Sequence, residues 1–210
     1  MRGIFIAIEG LDGSGGTTQA KLLERWLLER GDWPQVHRTW EPSAGPVGLF
    51  IREALKLENS NKLGDNVLPY LFAADRRDHL DREIIPVLQR GGVVVTDRYY
   101  HSSLAYQSLT VGLAKVAQLN GEFRRPDLTI FLDLPAEACL DRILARGGAL
   151  ERFEAIDRLR SIQQAYESVL VHCRASGERI VRLDASGTVE EIHAQVVASV
   201  AARIAEQAAE

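Results

Sequence analysis

Gly10-Leu11-Asp12-Gly13-Ser14-Gly15-Gly16-Thr17-Thr18 is the stretch whose reading decides the fold of this chain. It follows the P-loop pattern G-x-x-x-x-G-K-[ST] at every fixed position but one. Gly10 and Gly15 are the frame glycines, Thr17 carries the hydroxyl, and the lysine position holds Gly16. The flanks fit the pattern. Ile4–Ile8 is a short, β-branched apolar run that reads as a buried strand. Thr17–Arg30 reads as a helix with Leu22, Leu23, Trp26 and Leu27 on one face. Strand, glycine loop and helix in that order form a phosphate cradle, in which backbone N–H groups and the positive end of the helix face an anion. A glycine turn capped by Thr17 or Thr18 is the plainer reading of such a stretch. The full spacing in this context argues against it. Asp12 repels phosphate unless Mg²⁺, water or a nearby arginine holds it off. The missing ammonium needs a substitute if such a cradle is to serve fast phosphoryl transfer, which rests on positioning and charge neutralisation.

Outward from the loop, strand-like runs recur at Ile4–Ile8, Val36–Trp40, Val93–Thr96, Leu128–Leu132 and Ile180–Leu183. Helical patterns alternate with them at Thr17–Arg30, Val47–Leu57, Asn66–Arg90, Ala136–Arg146, Ala155–Ala175 and Thr188–Gln207. The alternation predicts an α/β fold: a three-layer sandwich with a five-stranded parallel sheet flanked by helices. The third and fourth strands are almost wholly apolar, as central strands covered on both faces are. Ligands in such folds sit at the carboxyl ends of the strands, where the chain places the glycine loop, Glu41-Pro42-Ser43 and Asp97-Arg98-Tyr99. At 210 residues one domain is expected over 1–210. A net charge of −4 gives no global basic footprint for nucleic acid. Cys139 and Cys173 have no metal-ligand spacing and suit a reducing cytosol. No apolar run approaches the roughly 18 residues of a membrane span, and the N-terminus shows no signal-peptide pattern. A cytoplasmic protein without membrane or nucleic-acid partners is expected.

Two further regions carry chemistry. Phe72 and Arg76 are four apart on a long helix, so an aromatic face and a guanidinium project together. They suit stacking and hydrogen bonding to a base, though helix spacing alone equally describes a core Phe beside a surface Arg. Arg98 can clamp a phosphate bidentately, and Asp97 can hold Mg²⁺ or a sugar hydroxyl; a structural salt bridge is the alternative. Ser102, Ser103, Tyr106 and Gln107 present polar groups on the following helix. Further along, Arg142, Arg146, Arg152 and Arg158 bracket Gly147-Gly148. Arg142 and Arg146 share a helix face. A mobile arginine-bearing lid would close over phosphates and supply charge; a solvated basic helix end is the plain alternative.

Taken together, these residues resemble the thymidylate kinases of the P-loop nucleoside monophosphate kinase superfamily over essentially the whole chain. The marks are Gly10–Thr18 with Gln19, Glu41-Pro42, Phe72-Ala73-Ala74-Asp75-Arg76, and Asp97-Arg98-Tyr99 with Ser102-Ser103-Leu104-Ala105-Tyr106-Gln107. Arg125-Pro126-Asp127, Asp133, the lid over about 142–155 with Glu151-Arg152-Phe153-Glu154, and Tyr166 complete them. The resemblance implies a P-loop NTP hydrolase-like fold, a homodimer, and transfer of the γ-phosphoryl of ATP to dTMP with Mg²⁺. It implies that Gly10–Thr18 bind ATP, with Asp12, Arg98, Arg142, Arg146 and Arg152 catalytic. Thr17 and Asp97 would attend the metal. Glu41, Pro42, Phe72, Arg76, Asp97, Arg98, Tyr99, Ser102, Ser103, Tyr106 and Gln107 would bind dTMP. Phe72 would stack on thymine, Arg76 bond its carbonyl, Ser103 face N3, and Tyr106 crowd the 2′ position. The loop has no arginine while the lid is arginine-rich, as in the lid-type variants of the family. Two positions depart from the pattern: Gly16 replaces lysine, and Trp40 stands where Arg-Glu-Pro usually begins. Gly16 leaves open a nucleotide-binding protein that does not transfer, and another monophosphate, such as dUMP, remains an alternative acceptor.

Overall fold

The computed structural model describes residues 3–57, 63–64, 66–147 and 152–209, with backbone alone at 152–154. Five strands, β1 (Ile4–Gly10), β2 (Val36–Trp40), β3 (Val93–Asp97), β4 (Leu128–Asp133) and β5 (Ile180–Asp184), form one parallel sheet in the order β2-β3-β1-β4-β5. Every residue of the central strand β1 is buried. That explains its unbroken apolar run: a parallel strand covered on both faces has no solvent side to fill with polar residues. Each of its Ile and Phe side chains contributes about 1.5–3 kcal/mol through burial.

Sheet register sets the site. β3 lies on one side of β1 and β4 on the other, so successive connections leave in opposite directions from the centre. A crevice opens at such a switch point, outside the carboxyl ends of the strands. Ile8 of β1 and Trp40 of β2 both pair with Asp97, the last residue of β3. The end of β3 is thereby brought beside the loop that leaves β1.

The helices are α1 (Gly16–Arg30), α2 (Pro46–Ala54), α3 (Leu68–His79), α4 (Ile85–Gln89), α5 (Tyr100–Tyr106), α6 (Ser108–Val111), α7 (Leu113–Asn120), α8 (Ala136–Ala145), α9 (Arg152–Ala175) and α10 (Val189–Ala209). α1 packs on α10 and on the strands β1, β2 and β3, while α5 packs on β1, α7 and α9. The helix expected as one piece over 66–90 is divided. Between α3 and α4 the backbone widens into a π turn at Leu80–Ile84. Pro86 explains this, because it has no N–H to give and its ring crowds the carbonyl four residues back. The region after Asp97-Arg98-Tyr99 is likewise broken, with Gly112 at φ 81° separating α6 from α7. Cys139 and Cys173 are buried free thiols. Among the described residues no helix is long and apolar enough to cross a membrane.

Candidate active site

The glycine loop turns sharply off β1 and enters α1. Ser14 N donates to Leu11 O at 3.0 Å, and Gln19 N to Gly15 O at 3.0 Å opens the helix. Gly13 has φ 90°, and a Cβ there would come within 2.5 Å of the Cys139 carbonyl oxygen, so this position takes no side chain. The loop encloses a cavity of about 210 Å³ lined by residues 8–18, Asp97, Arg98 and Arg146. Thr17 Oγ1 donates to Asp97 Oδ2 at 2.5 Å, which brings together the two side chains expected at a metal. Burial raises the Asp97 carboxyl pKa, with Thr17 and Arg98 opposing. A Cβ on Gly16 would lie 3.0 Å from Asp97 Oδ1, so the space beside the lysine position is taken up by this carboxylate.

Arg98 joins the loop to the helices beyond it. It sits at φ 70°, a conformation that costs a non-glycine residue energy. Arg98 N to Ile8 O (2.9 Å) and Thr96 Oγ1 to Arg98 O (2.7 Å) hold it there. Its Nη2 donates to Asp12 Oδ1 at 2.7 Å, and its Nη1 to Ser102 Oγ at 2.8 Å and Tyr166 Oη at 3.4 Å. Tyr106 Oη donates to Asp12 Oδ2 at 3.1 Å, with the Arg98 guanidinium over its ring. Asp12 is thus held by an arginine, as its place in a phosphate loop demands. Burial alone disfavours the Arg98 charge, yet Tyr106, Tyr166, Asp12 and Glu9 raise its pKa well above the ordinary value.

Glu9 escaped sequence reasoning, although a carboxylate closing a fully apolar strand is itself a signal. It accepts from Tyr99 N (2.8 Å), Ser102 Oγ (2.7 Å) and Tyr166 Oη (3.1 Å), and so fixes the groups around Arg98. Burial works to raise its pKa, but His101, Arg98 and Ser102 carry it below the usual carboxylate value.

The lid arginines divide. α8 ends at Ala145, and Arg146 leaves the helix to line the loop cavity. Arg142 instead donates to Ser14 O (3.4 Å) and Ala185 O (3.0 Å), bracing the loop from outside the cavity. Glu151 and the side chains of Arg152, Phe153 and Glu154 lie outside the described residues.

A second cluster lies beyond Arg98. Glu41 follows β2 through a cis peptide bond to Pro42. Its Oε2 accepts from Arg76 Nε (2.9 Å) and Nη2 (2.5 Å), and His79 Nδ1 approaches Oε1 at 3.2 Å. Arg76 Nη2 also donates to Ser103 Oγ at 3.0 Å, and Nη1 to Asn120 Oδ1. The guanidinium is 1% exposed and lies against the Tyr99 and Phe123 rings. Phe72 is half-buried one turn earlier on α3. The Gln107 side-chain oxygen is buried without a hydrogen-bond partner among the described residues. Glu41, Arg76, Tyr99 and Ser103 thus form one buried network, and Asn120 joins it without any forewarning in the sequence. Trp40, at the departing position, lies under the Arg38 guanidinium.

A glycine cradle between the first strand and first helix of a β2-β3-β1-β4-β5 parallel sheet, faced by arginines, defines a P-loop enzyme of the NTP hydrolase-like α/β class. The comparisons narrow the class. The thymidylate kinase family profile matches residues 8–196. A "Probable thymidylate kinase" of Pyrococcus abyssi is 42% identical, over 95% of this chain and 97% of its own length. One of Pyrobaculum aerophilum is 41% identical over 91% and 93%. The "Thymidylate kinase" of Xanthomonas oryzae is 35% identical over 96% and 86%. The chain belongs to the thymidylate kinase family and is a nucleoside monophosphate kinase.

Proposed function

We propose that the protein transfers the γ-phosphoryl of ATP to dTMP, giving ADP and dTDP, in the cytoplasm. The observation that carries this reading is Arg98. Its guanidinium reaches from Asp12 in the phosphate loop to Ser102 and Tyr166 on the helices beyond, where two phosphates would meet. Backbone N–H groups of Gly10–Thr18 hold the donor polyphosphate. The adjoining oxygens of Thr17 and Asp97 fit Mg²⁺, which takes hard oxygen ligands and keeps most of its shell for phosphates and water. When bound there, such an ion would supply charge neutralisation for the transferring phosphates. Arg146 supplies the cation that Gly16 does not, Arg142 keeps the loop in place, and Arg152 adds charge as the lid closes.

On the acceptor side, Phe72 stacks on thymine. Arg76 has five donors, and the bonds to Glu41, Ser103 and Asn120 occupy all but one on Nη1. That donor serves the thymine carbonyl, with Ser103 toward N3. Tyr106, tied to Asp12, crowds the 2′ position, while Pro42, Tyr99 and Gln107 complete the wall. The test is formation of dTDP and ADP from dTMP and ATP with Mg²⁺, set against dUMP in competition. Absence of turnover at high enzyme concentration overturns the reading.

A homodimer is part of the proposal. Leu49 and Phe50 on α2, and Val67 and Tyr70 at the start of α3, are about half exposed on two helices that pack together. A second copy covering them accounts for that apolar surface. Phe50→Asp is expected to shift the sedimenting species to monomer.

A further inference from the structure

A second cluster lies where α5, α9 and the turn into β5 meet, and His101, Cys173 and Glu178 in it do not line the loop cavity. His101 Nε2 lies 2.9 Å from Glu178 Oε2. One ligating atom each from His101, Cys173 and Glu178 lies within 4.8 Å of the other two. His101 and Cys173 are 1% exposed. On the other side of the ring, Glu9 Oε1 faces His101 Nδ1 at 3.7 Å. Arg125 Nε stands 4.0 Å from Glu178 Oε1, leaving Oε2 toward the histidine. A cavity of about 50 Å³, lined in part by Tyr100, Arg125, His172, Cys173, Ser176 and Glu178, opens onto the cluster.

We propose that His101 Nε2, Cys173 Sγ and Glu178 Oε2 form a site for a borderline-soft divalent metal ion, Zn²⁺ by choice, with a water in the adjoining cavity as fourth ligand. Imidazole, thiolate and carboxylate are the donors this ion takes, at bond lengths of about 2.0–2.3 Å that set ligand atoms roughly 3–4 Å apart. Small side-chain rotations bring the three atoms to that spacing. The cavity exceeds the roughly 10–15 Å³ that a water needs. Glu9 Oε1, 3.7 Å from Nδ1, stands on the side from which a carboxylate orients an imidazole ligand. The ion takes the place of two protons, one from His101 Nε2 and one from the Cys173 thiol. It replaces the single positive charge that an imidazolium offers to the carboxylates on either side.

The competing account is a protonated His101 bridging Glu9 and Glu178. It explains the two carboxylates and leaves Cys173 only a hydrogen bond to His101. The metal explains all four side chains, and it joins α5 to α9 and to the edge of the sheet. Mg²⁺ in the proposed transfer takes oxygen ligands around Thr17 and Asp97, so the two sites differ in residues and in chemistry.

The full chain, stripped with a chelator and titrated with Co²⁺, tests this without any nucleotide. The expected result is a near-ultraviolet thiolate-to-cobalt charge-transfer band that saturates at one ion per chain and disappears when Zn²⁺ displaces Co²⁺. Removing an outer partner of a ligand costs about 10–100-fold in metal affinity, so Cys173→Ser, lacking a ligand itself, is expected to lose about 100-fold or more and to show no band. A folded wild-type protein without the band overturns the proposal, as does a Cys173→Ser variant that binds Zn²⁺ as tightly as wild type. Neither result bears on whether dTMP is the acceptor.

Discussion

The phosphate loop offers backbone and stands open, whereas the Glu41–Arg76 cluster offers side chains and is closed. In the loop, Asp12, Thr17 and Arg146 are exposed, and the anion-facing groups are N–H donors whose directions follow from glycine dihedrals. In the cluster, Arg76 is 1% exposed and bonded to Glu41, Ser103 and Asn120. A backbone donor stays in place whatever residue stands at position 16. A side-chain donor is held only while its partners remain. On the proposed reading, the first region tolerates loss of its lysine because Arg146 reaches the cavity. The second has no such slack.

The comparison breaks most visibly at Arg98, which ties the loop to α5 and α9. Arg98→Ala is expected to lower kcat/KM for dTMP by about 10³-fold or more, the range of a guanidinium that stabilises a transferring phosphoryl group. Arg98→Lys should recover little, since one ammonium cannot reproduce a planar fork shared by Asp12, Ser102 and Tyr166. Full activity in the lysine variant would show that Arg98 acts as a point charge only. In the closed region, Glu41→Ala leaves the buried Arg76 guanidinium without its carboxylate partner. Destabilisation by about 3–5 kcal/mol is expected in urea unfolding. A loss under about 1 kcal/mol would show that the cluster is not held by this pair. In the open region, Arg146→Ala is expected to lower kcat by about 100-fold, as for loss of one preorganised donor, with little change in the unfolding midpoint.

The smallest effect concerns pH. Burial acts to raise the Glu83 pKa, but hydrogen bonds and charge from His37, His79 and Thr39 set it below the ordinary value of 4.5. A carboxylate with a depressed folded-state pKa contributes stability above its unfolded value and loses it as pH falls through the folded one. The urea midpoint should therefore fall below about pH 4.5, and Glu83→Gln should flatten part of that slope. An unchanged slope would place the acid sensitivity elsewhere, with Glu9 the next residue to examine.

Much of this architecture was legible in the sequence, for physical reasons. The parallel strands could be read because burial on both faces leaves only apolar residues in them. The cradle could be read because glycine dihedrals tie its shape to residue identity. The break before Pro86 was readable in principle, but a long helical period over 66–90 masks it. The pairing of Glu41 with Arg76 was not legible, because residues 35 apart meet only through the fold. The division of the lid arginines was also hidden. Helix periodicity puts Arg142 and Arg146 on one face, but α8 ends at Ala145 and releases the second.

The claim that the cation has moved to Arg146 is tested most directly by measuring kcat for Arg146→Ala in two backgrounds, wild type and Gly16→Lys. A Cβ at position 16 asks only the end of the Asp97 side chain to yield by a few tenths of an ångström. With Gly16 in place, loss of Arg146 should cost about 100-fold. With Gly16→Lys, it should cost less than about 10-fold, because the ammonium then meets the same phosphates. Equal losses in the two backgrounds would contradict the account.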